Sequence, residues 1–426
     1  MRLEKKKVLV VGMGKSGRAA LEFLTAREAH VTTTDLQPRE VAGFRPQTDE
    51  LFAEPWDLIV LSPGVPADLP GVARARARGV DVIGEVELAA SWLKGPVIAI
   101  TGSNGKTTTT SLVGHILHFA GTPAQVGGNI GTPVIGMAET SREGQWNVLE
   151  LSSFQLETTR SLRAHVGVCL NVTQNHLDRH YTFESYASAK GKLFRMQQAG
   201  DYAVLNADDA VCRSFAALTA ATPLWFSTED IREGQVFLGS EPLMPAGDIP
   251  IPGTHNIENV MAAALATRIA GVSLSRIAAA VKTFHAVEHR LEFVGEHRGV
   301  RFYNDSKATS VDATIKALDS FSGNLWVILG GKDKGSDYTV LRDRLSRKAH
   351  AALLIGAAAE KIGKQLNGAT KLVYSGTLDC AVDEAWRGAR PGDTVLLAPA
   401  CASFDQFQSY EHRGSVFKEL VNRLKS

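Results

Sequence analysis

The sequence lacks the paired cysteines that a zinc site or a disulfide framework requires. Its four cysteines, Cys169, Cys212, Cys380 and Cys401, lie far apart, and none belongs to a Cys-x-x-Cys motif. Closely spaced cysteines are the usual signature of both kinds of site. We therefore expect free thiols in the core of a cytoplasmic protein.

An excess of charge and long hydrophobic runs are also missing. Lysine and arginine number 46 and aspartate and glutamate 45, a net charge of +1, so no surface for nucleic acid is expected. No run approaches the roughly 20 apolar residues of a membrane helix, and Val8–Val11, behind a basic start, is too short for a signal peptide. The sequence predicts a soluble monomer with no nucleic-acid or membrane partner and with two or three domains.

A phosphate-binding loop is predicted around Lys106. The apolar run Val97–Ile100 is typical of a buried strand, and Thr101-Gly102-Ser103-Asn104-Gly105-Lys106-Thr107-Thr108 and a helical pattern follow it. Glycines let backbone N–H groups approach an anion, and a helix start adds its positive dipole end. Lys106 is expected to reach the β- and γ-phosphates, and Thr107 to bind Mg²⁺. Two residues separate the glycines where the Walker motif has four, so a plain glycine turn is the alternative.

A second glycine motif lies near the start of the chain. The strand Lys7–Val11 precedes Gly12-Met13-Gly14-Lys15-Ser16-Gly17, and Asp35 follows the next strand, His30–Thr34. This spacing is the dinucleotide fingerprint, in which the pyrophosphate lies at a helix start and the acid binds a ribose. The motif indicates a pyrophosphate and a ribose, and it allows either NAD or another nucleotide diphosphate.

Polar residues follow the strands in the middle of the chain. Glu150 lies on the strand Val148–Leu151, and His176 comes shortly after the strand Val166–Leu170. Because the carboxyl ends of parallel strands meet at one sheet edge, both are expected beside the phosphate loop, where they suit Mg²⁺ on ATP. The alternatives are a capping acid and an ordinary surface histidine. Asn256 and Asn259 precede a predicted helix, and helix capping is their alternative role.

The last third of the chain repeats the pattern of strands that end in polar clusters. Arg301–Tyr303 leads into Asn304-Asp305-Ser306-Lys307-Ala308-Thr309, Leu325–Leu329 into Gly330-Gly331-Lys332-Asp333-Lys334, and Thr394–Leu397 into a cluster ending at Phe407. Alternation of strand and helix throughout predicts an α/β protein. We expect a Rossmann-like domain over 1–93, a P-loop ATPase-like domain over 94–287 and a Rossmann-like domain over 288–426.

Four stretches together resemble the signatures of the Mur ligase family. They are Thr101–Thr107, Glu150–Leu156, Asn304–Thr309 and Ala400–Phe407, and the likeness runs the whole length of the chain. The Asp-Asn-Pro-Arg tetrapeptide of the diaminopimelate-adding relatives is absent. Two departures are Ala398, where Ser is common, and Glu288, where Pro is common. Neither replaces a group that we assign to the chemistry.

The resemblance implies an ATP-dependent amide-bond ligase of peptidoglycan-precursor synthesis. A carboxylate of UDP-N-acetylmuramoyl-L-alanine attacks the ATP γ-phosphate to give an acyl phosphate, and the amine of D-glutamate then displaces phosphate. The D configuration rests on the resemblance alone. The first domain is expected to bind UDP and not NAD, because no residues for hydride transfer accompany the ATP loop.

The resemblance also implies roles for individual residues. Lys106, His176, Lys190 and Arg290 are expected to be catalytic. ATP is expected to contact Gly102, Ser103, Asn104, Gly105, Lys106, Thr107, Thr108, Asn256, Asn259, Arg290 and Asp305. The UDP-substrate is expected to contact Gly14, Ser16, Asp35, Ser62, Gly64, Asn129 and His176. Two Mg²⁺ ions are expected on Thr107, Glu150, His176 and a carbamylated Lys190, and glutamate on Thr309, Lys334, Ser403 and Phe404.

Two other functions are compatible with parts of the sequence. One is a nucleotide-binding protein without turnover, against which the intact set of Lys106, Glu150, His176 and Lys190 argues. The other is an NAD-dependent oxidoreductase built on the first domain. Release of phosphate only when all substrates are present would exclude the former.

Overall fold

The computed structural model describes residues 2–285 and 288–424 of the chain. The chain forms two compact units, one built from Met1–Ala246 and Glu258–Val281 and the other from Gly247–Ile257 and Lys282–Ser426. Each unit is described separately below. The predicted boundary after residue 287 lies outside the described residues, and the domain limits 1–93, 94–287 and 288–426 stay a prediction.

The first unit begins with a small parallel sheet. Its elements are β1 (Lys7–Val11), α1 (Lys15–Thr25), β2 (His30–Thr34), α2 (Asp49–Ala53), β3 (Leu58–Leu61), α3 (Pro70–Ala77), β4 (Asp81–Gly84) and α4 (Glu85–Ala90). The strand order is β2-β1-β3-β4, with all neighbours parallel. The apolar residues of β1 and β3 are buried on both faces, as expected of a sheet that helices cover on both sides. The glycine motif therefore lies at the carboxyl end of a central strand.

The same unit contains a larger parallel sheet of six strands. Its elements are β5 (Val97–Thr101), α5 (Lys106–Phe119), β6 (Ala124–Gly128), α6 (Val134–Met137), β7 (Trp146–Glu150), α7 (Ser153–Glu157), β8 (Val166–Cys169), α8 (Leu177–His180), α9 (Phe183–Arg195), β9 (Tyr202–Asn206), α10 (Ala210–Phe215) and β10 (Thr222–Phe226). The strand order is β10-β9-β8-β5-β7-β6. β5 lies between β8 and β7, and Ile100 pairs with Glu150. The phosphate loop therefore leaves the sheet between the two strands whose ends carry the predicted metal ligands.

The segment that follows β10 contains a small sheet that the sequence did not predict and, after it, the helix that was predicted near Asn259. It forms an antiparallel sheet of β11 (Ile231–Arg232), β12 (Gln235–Leu238) and β13 (Glu241–Pro245), followed by the helices α11 (Thr254–Ile269) and α12 (Leu274–Lys282). Short 3₁₀ helices lie at Ala216–Leu218, Thr228–Asp230, Ala246–Asp248 and Thr339–Leu341. The prediction that Asn256 and Asn259 precede this helix is wrong, because α11 starts at Thr254 and both residues lie within its first turns.

The second unit is built on another six-stranded sheet. Its elements are β14 (Glu292–His297), β15 (Val300–Asn304), α13 (Val311–Asp319), β16 (Leu325–Gly330), α14 (Arg342–Lys348), β17 (Ala349–Ile355), α15 (Ala359–Leu366), β18 (Lys371–Gly376), α16 (Leu378–Gly388), β19 (Thr394–Leu397) and α17 (Tyr410–Asn422). The order is β14-β15-β19-β16-β17-β18, and β14 alone among these pairs antiparallel to its neighbour. β15, β19 and β16 are thus adjacent and parallel, and their carboxyl ends meet at one edge. None of the described helices is long and apolar enough to span a bilayer.

Candidate active site

The loop before α5 is shaped by two glycines in conformations that other residues rarely adopt. Gly102 has φ of +147° and Gly105 has φ of +84°. A Cβ at Gly105 would collide with Oδ1 of Asn259, so the left-handed turn and the close approach both require glycine. The Lys106 ammonium donates to the carbonyls of Gly102, at 2.9 Å, and Ser103, at 3.0 Å. The lysine thus lies over the loop that is predicted to hold the phosphates.

Residues beyond the end of β8 fix the conformation of this loop. The backbone N–H of Ser103 donates to the Asn171 carbonyl at 2.8 Å, and that of Asn104 donates to Oδ1 of Asn171 at 2.9 Å. The Ser103 hydroxyl lies 2.9 Å from both the Thr173 carbonyl and the Tyr186 hydroxyl. α5 begins directly after a glycine, so its N-cap residue offers no side-chain oxygen to the first turn. An anion can take that place.

Lys190 reaches the same loop from α9. Its side chain is 1 % exposed, and its ammonium donates to the Gly102 carbonyl at 2.8 Å, the oxygen that Lys106 also binds. Burial lowers the pKa of Lys190 well below its usual value, and the charge of Lys106 lowers it further, although Cys169, Cys212 and Glu150 act in the opposite direction. Burial and the neighbouring Lys106 therefore make protonation of Lys190 less favourable than that of an exposed lysine.

Glu150 is a buried carboxylate at the end of β7. It is 1 % exposed, and its Oε1 accepts a hydrogen bond of 2.7 Å from Nδ2 of Asn129. Among the residues that the structure describes, its Oε2 has no hydrogen-bond partner. A buried anionic oxygen without a donor is costly unless a cation binds it. The residues present therefore fit a Mg²⁺ ion at this oxygen.

The rest of the predicted magnesium site is consistent with a nucleotide-bound ion. Thr107 is 3 % exposed at the start of α5. The described part of the chain contains no cluster of three His, Cys, Asp or Glu side chains that could hold a metal by itself. Mg²⁺ at nucleotide sites uses one or two carboxylates with phosphates and water, so such a cluster is not needed.

His176 lies at the N-cap of α8 in a left-handed conformation, with φ of +55°. It is exposed, and its ring centroid lies 4.9 Å from that of Phe154. The sequence did not single out His180, which is buried and contacts the Ser153 hydroxyl through Nε2 at 3.0 Å. The His180 ring lies 5.5 Å from Phe154 and 5.4 Å from Tyr186. This ring cluster supports the segment that carries His176, and no sequence signal points to it, because its members lie on separate elements.

The first glycine motif is closed by Asp35 and Ser62. Oδ2 of Asp35 accepts from the N–H of Met13 at 2.7 Å, and the Ser62 hydroxyl donates to the Gly12 carbonyl at 2.6 Å. Partial burial tends to raise the pKa of Asp35, but the N–H groups of Met13 and Gln37 and the charge of Arg39 outweigh it and lower the pKa. Asp35 therefore orders the loop as an anion.

Two glycines at this edge face open space. A Cβ at Gly14, the N-cap of α1, would meet no atom within 4 Å, and the same is true of Gly64. Ser16 is half-buried in the first turn of α1. The central part of this unit contacts the same edge, because Arg179 donates to the Val65 carbonyl at 2.8 Å. Gly14, Ser16, Asp35, Ser62 and Gly64, five of the residues predicted to bind the UDP-substrate, thus follow the carboxyl ends of β1, β2 and β3 in the small sheet.

In the second unit, Asp305 is a buried carboxylate just after β15. Its Oδ1 accepts from the N–H of Leu291 at 3.3 Å. Burial raises its pKa to about 7, although Arg290, the Leu291 N–H and Lys307 act to lower it. The predicted ATP contacts are divided between the units: Arg290, Asp305 and Asn256 belong to the second, and the glycine loop and Asn259 to the first.

The predicted glutamate contacts come together at the edge formed by β15, β16 and β19. The Lys334 ammonium lies 3.4 Å from the Thr309 carbonyl. Backbone hydrogen bonds of 2.8 and 3.1 Å join Lys332 and Ala402, next to the buried Ser403. Phe404 is 67 % exposed, so its ring is accessible to a ligand. A buried charge that the sequence did not reveal is Arg413, which is fully buried beside these loops. A single arginine in a helix gives no signal of such a position.

Comparisons with known proteins match three family models along the chain. They are the N-terminal domain of MurD-like Mur ligases over residues 6–84, the Mur ligase middle domain over 100–267, and the Mur ligase glutamate ligase domain over 289–401. A protein of Solibacter usitatus named UDP-N-acetylmuramoylalanine–D-glutamate ligase is 63% identical over 100% of this chain and 99% of its own. The chain belongs to the Mur ligase family. The sequence-based assignment to this family and to a three-domain α/β fold is thereby confirmed.

Other relatives of this Mur ligase carry the same name. The proteins of Acidobacterium capsulatum, 51% identical over 99% of this chain and 97% of the relative, and of Koribacter versatilis, 50% identical over 100% and 99%, are examples. Among solved structures, the UDP-N-acetylmuramate-alanine ligase MurC of Thermotoga maritima is similar with a TM-score of 0.64 at 18% identity, covering 99% of this chain and 100% of its own. MurF ligase of the same organism, solved with ADP, has a TM-score of 0.62 at 16% identity, covering 99% and 96%. At these identities the solved structures show the shared fold.

Proposed function

We propose that this Mur ligase joins D-glutamate to UDP-N-acetylmuramoyl-L-alanine and converts ATP to ADP and phosphate. The observation that supports this most directly is the match over the whole chain to relatives named for that activity. The site is compatible with it, because the phosphate loop, the buried Glu150 and the polar edge of the second unit are all present.

The first step transfers the γ-phosphoryl group to the substrate carboxylate. Negative charge accumulates on the phosphoryl oxygens, so cations and alignment supply most of the catalysis. Lys106 is held at the loop by two carbonyls and would stabilise the phosphoryl group together with Arg290. Asn129, fixed by Glu150, and His176 would orient the sugar-peptide.

Magnesium would be held by Thr107 and Glu150, and a second ion by His176 and Lys190. When bound, the ions would neutralise phosphate and carboxylate oxygens. The unpartnered Oε2 of Glu150 supports the first of these sites. Asn256 and Asn259 would face adenine, and Asp305 the ribose.

Lys190 would act as a carbamate. Addition of CO₂ to its amine replaces a cation, which would repel Mg²⁺, with an anionic oxygen ligand. Burial against the Gly102 carbonyl supports this role, since only the neutral amine adds CO₂. We expect activity to fall in bicarbonate-free buffer and to return when bicarbonate is added, while Lys190→Ala stays inactive in both; full activity of that variant would exclude the carbamate.

The second step displaces phosphate from the acyl group by the amine of D-glutamate. The acceptor carries two carboxylates, so donors at fixed positions are needed. Lys334, Thr309 and Ser403 would supply them, with Phe404 beside the side chain. The first unit would bind the UDP part at Gly14, Ser16, Asp35, Ser62 and Gly64.

An acceptor panel tests this function. ADP release is measured with ATP and UDP-N-acetylmuramoyl-L-alanine, adding D-glutamate, L-glutamate, L-alanine or a diamino acid in turn. Of the four acceptors, only D-glutamate is expected to cause ADP release, and the Lys106→Met variant should release no ADP. Preference for another acceptor would still indicate a ligase, but it would show that D-glutamate is not the substrate. ATP binding without ADP release would indicate a nucleotide-binding protein without turnover.

A further inference from the structure

Arg413 is a buried cation in the second unit that the proposed reaction does not use. It lies on α17 and is 0 % exposed. Burial lowers its pKa to about 10, with Cys401 and Asp405 acting in the opposite direction, so it stays charged at neutral pH. A fully buried arginine is uncommon unless its donors are satisfied.

The donors of Arg413 reach three separate loops. Nε donates to the Ser306 hydroxyl and one terminal nitrogen to the Ser306 carbonyl, both at 2.9 Å. The same nitrogen reaches the Cys401 carbonyl at 3.2 Å. The other terminal nitrogen lies 3.5 Å from the carbonyls of Gly330 and Ala402. Among the described residues, these contacts end on main-chain oxygens and one hydroxyl.

The three loops leave neighbouring strands of the sheet. Ser306 follows β15, Gly330 ends β16, and Cys401 and Ala402 follow β19, and these strands are adjacent in the order β15-β19-β16. A planar guanidinium with donors in a fixed fork suits such a three-way junction, which an ammonium cannot span.

Each of these loops also carries a predicted contact to glutamate. Thr309 lies in the loop after β15, Lys334 in the loop after β16, and Ser403 next to Ala402 after β19. Because Arg413 forms hydrogen bonds to all three loops, it fixes the distances between Thr309, Lys334 and Ser403.

Local structure holds Arg413 in this place. The Ser306 hydroxyl donates to the Tyr410 carbonyl at 2.8 Å, which ties the first turn of α17 to the same loop. Gly331 has φ of +132°, and a Cβ there would collide with the Ala402 carbonyl and lie 3.1 Å from the guanidinium. The backbone thus approaches the guanidinium as closely as glycine allows.

We propose that Arg413 is a positioning residue that sets the distances between the glutamate-binding groups Thr309, Lys334 and Ser403. The inference rests on the proposed function and concerns the spacing of the groups that bind the amino acid. The residues assigned to the UDP-substrate belong to the first unit, and none of the hydrogen bonds of Arg413 described above reaches them, so we expect the binding of that substrate to change little.

The test compares Arg413→Met, which keeps the apolar stem, and Arg413→Lys, which keeps the charge, with the wild-type chain. The matched control is Arg423→Met on the same stretch of chain, because the Arg423 side chain is 74% exposed and contacts only Glu419 among its described ion pairs. In Arg413→Met the KM for D-glutamate should rise tenfold or more, and the KM for the UDP-substrate should stay within twofold. Arg413→Lys should show the same split to a smaller extent, and the control should show neither change.

A half-reaction separates positioning from general damage. Without glutamate, reversible transfer of the γ-phosphoryl group breaks its bond to the bridging oxygen of ATP and forms one to the substrate carboxylate, which scrambles an isotope label placed in the bridge. This exchange should stay within about threefold of wild type in Arg413→Met. A parallel loss of exchange and amide formation, or an unchanged KM for D-glutamate in a folded variant, would overturn the proposal. If Arg413→Met does not fold, Arg413→Lys decides on the same two readouts, and absence of exchange in the wild-type chain would contradict the proposed function itself.

Discussion

At the scale of single residues, the unpartnered oxygen of Glu150 gives the most direct prediction. Replacement by Gln keeps the shape and removes the charge. A hydrogen bond or contact to a charged group contributes about 1.5–3 kcal/mol, roughly ten- to hundred-fold in an equilibrium. Glu150→Gln should therefore raise the Mg²⁺ concentration for half-maximal activity by about that factor. Initial rates over a Mg²⁺ series measure this, with the exposed Glu143→Gln as control; an unchanged Mg²⁺ requirement would remove Glu150 from the metal site.

Asp305 gives a prediction about pH. Burial raises its pKa from 3.8 to about 7, so it is protonated below neutrality and ionised above. The carboxylate is the better acceptor for ribose hydroxyls, so the KM for ATP should fall as pH rises from 6 to 8. Asp305→Asn should make this profile flat. A profile that is equally steep in the variant would assign the titration to another group.

The same group affects the stability of the ligand-free protein. Between pH 3.8 and about 7 the folded state holds a proton that the unfolded state has released. The free energy of unfolding is therefore highest below pH 3.8, where Asp305 is protonated in both states. It falls as the pH rises from 3.8 to about 7, because the proton then favours the folded state less and less.

The residues that the sequence could reveal are those with a chemical signature next to a strand end. Lys106, Glu150 and Asp305 belong to this group, although their assigned roles stay predictions. Arg413 and His180 could not be found, because their importance comes from contacts between segments far apart in the chain. Lys190 was assigned through the family resemblance, and its contact with the Gly102 carbonyl became visible only in the structure.

At the scale of elements, the glycine loop before α1 gives a matched pair of variants. A Cβ at Gly14 meets open space, whereas one at Gly17 would collide with the Gly12 carbonyl. Gly14→Ala should fold with a loss of no more than about 1 kcal/mol, since alanine is a poorer N-cap residue but has less freedom in the unfolded chain. It should raise the KM for the UDP-substrate, because the new methyl group lies where we predict that the pyrophosphate binds. Gly17→Ala should lose about 1–3 kcal/mol of unfolding free energy. Thermal unfolding and substrate kinetics on both variants check this, and unaltered kinetics in Gly14→Ala would place the pyrophosphate elsewhere.

The elements that the sequence predicted are mainly buried parallel strands. Runs such as Val97–Ile100 are apolar on both faces and end in glycine or polar residues, so their periodicity is unambiguous. The antiparallel strands β11–β13 were missed, because they are two to five residues long and contain Pro242 and Pro245. The turn between β11 and β12 is a tight hairpin, in which Glu233 and Gly234 both have positive φ, of 51° and 76°. The glycine at its second position is the signal in the sequence, because such turns favour glycine.

At the scale of the whole molecule, the residues assigned to the UDP-substrate and those assigned to glutamate belong to different compact units. Those for the UDP-substrate belong to the first unit and those for glutamate to the second. UDP-N-acetylmuramoyl-L-alanine alone should therefore slow amide hydrogen exchange at residues 12–17, 62–65 and 127–131, because bound ligand suppresses local opening. Residues 305–309, 330–334 and 401–404 should exchange as before. Equal protection of both sets by this substrate alone would contradict the division of sites, and NADH should protect neither set.

The number of compact units could not be predicted from the sequence. Composition and motif order indicated three domains, and three family domains match the chain. The first two share one compact unit, since an apolar cluster that includes Val10 and Leu88 of one sheet region continues to Leu149 and Leu205 of the other. A linear pattern of strands and glycines shows where each sheet begins, but it does not show which helices pack against two sheets.

The carbonyl of Gly102 accepts hydrogen bonds from both Lys106 and Lys190. The effect of a mutation at one lysine therefore depends on which residue is present at the other. Loss of the Lys106 ammonium leaves the oxygen to Lys190 and removes the neighbouring charge that lowers the pKa of Lys190. The effect of a change at either position is therefore not additive with that of a change at the other. In genetic terms the two lysines are epistatic, and the acceptor between them belongs to the backbone, which no side-chain mutation can replace.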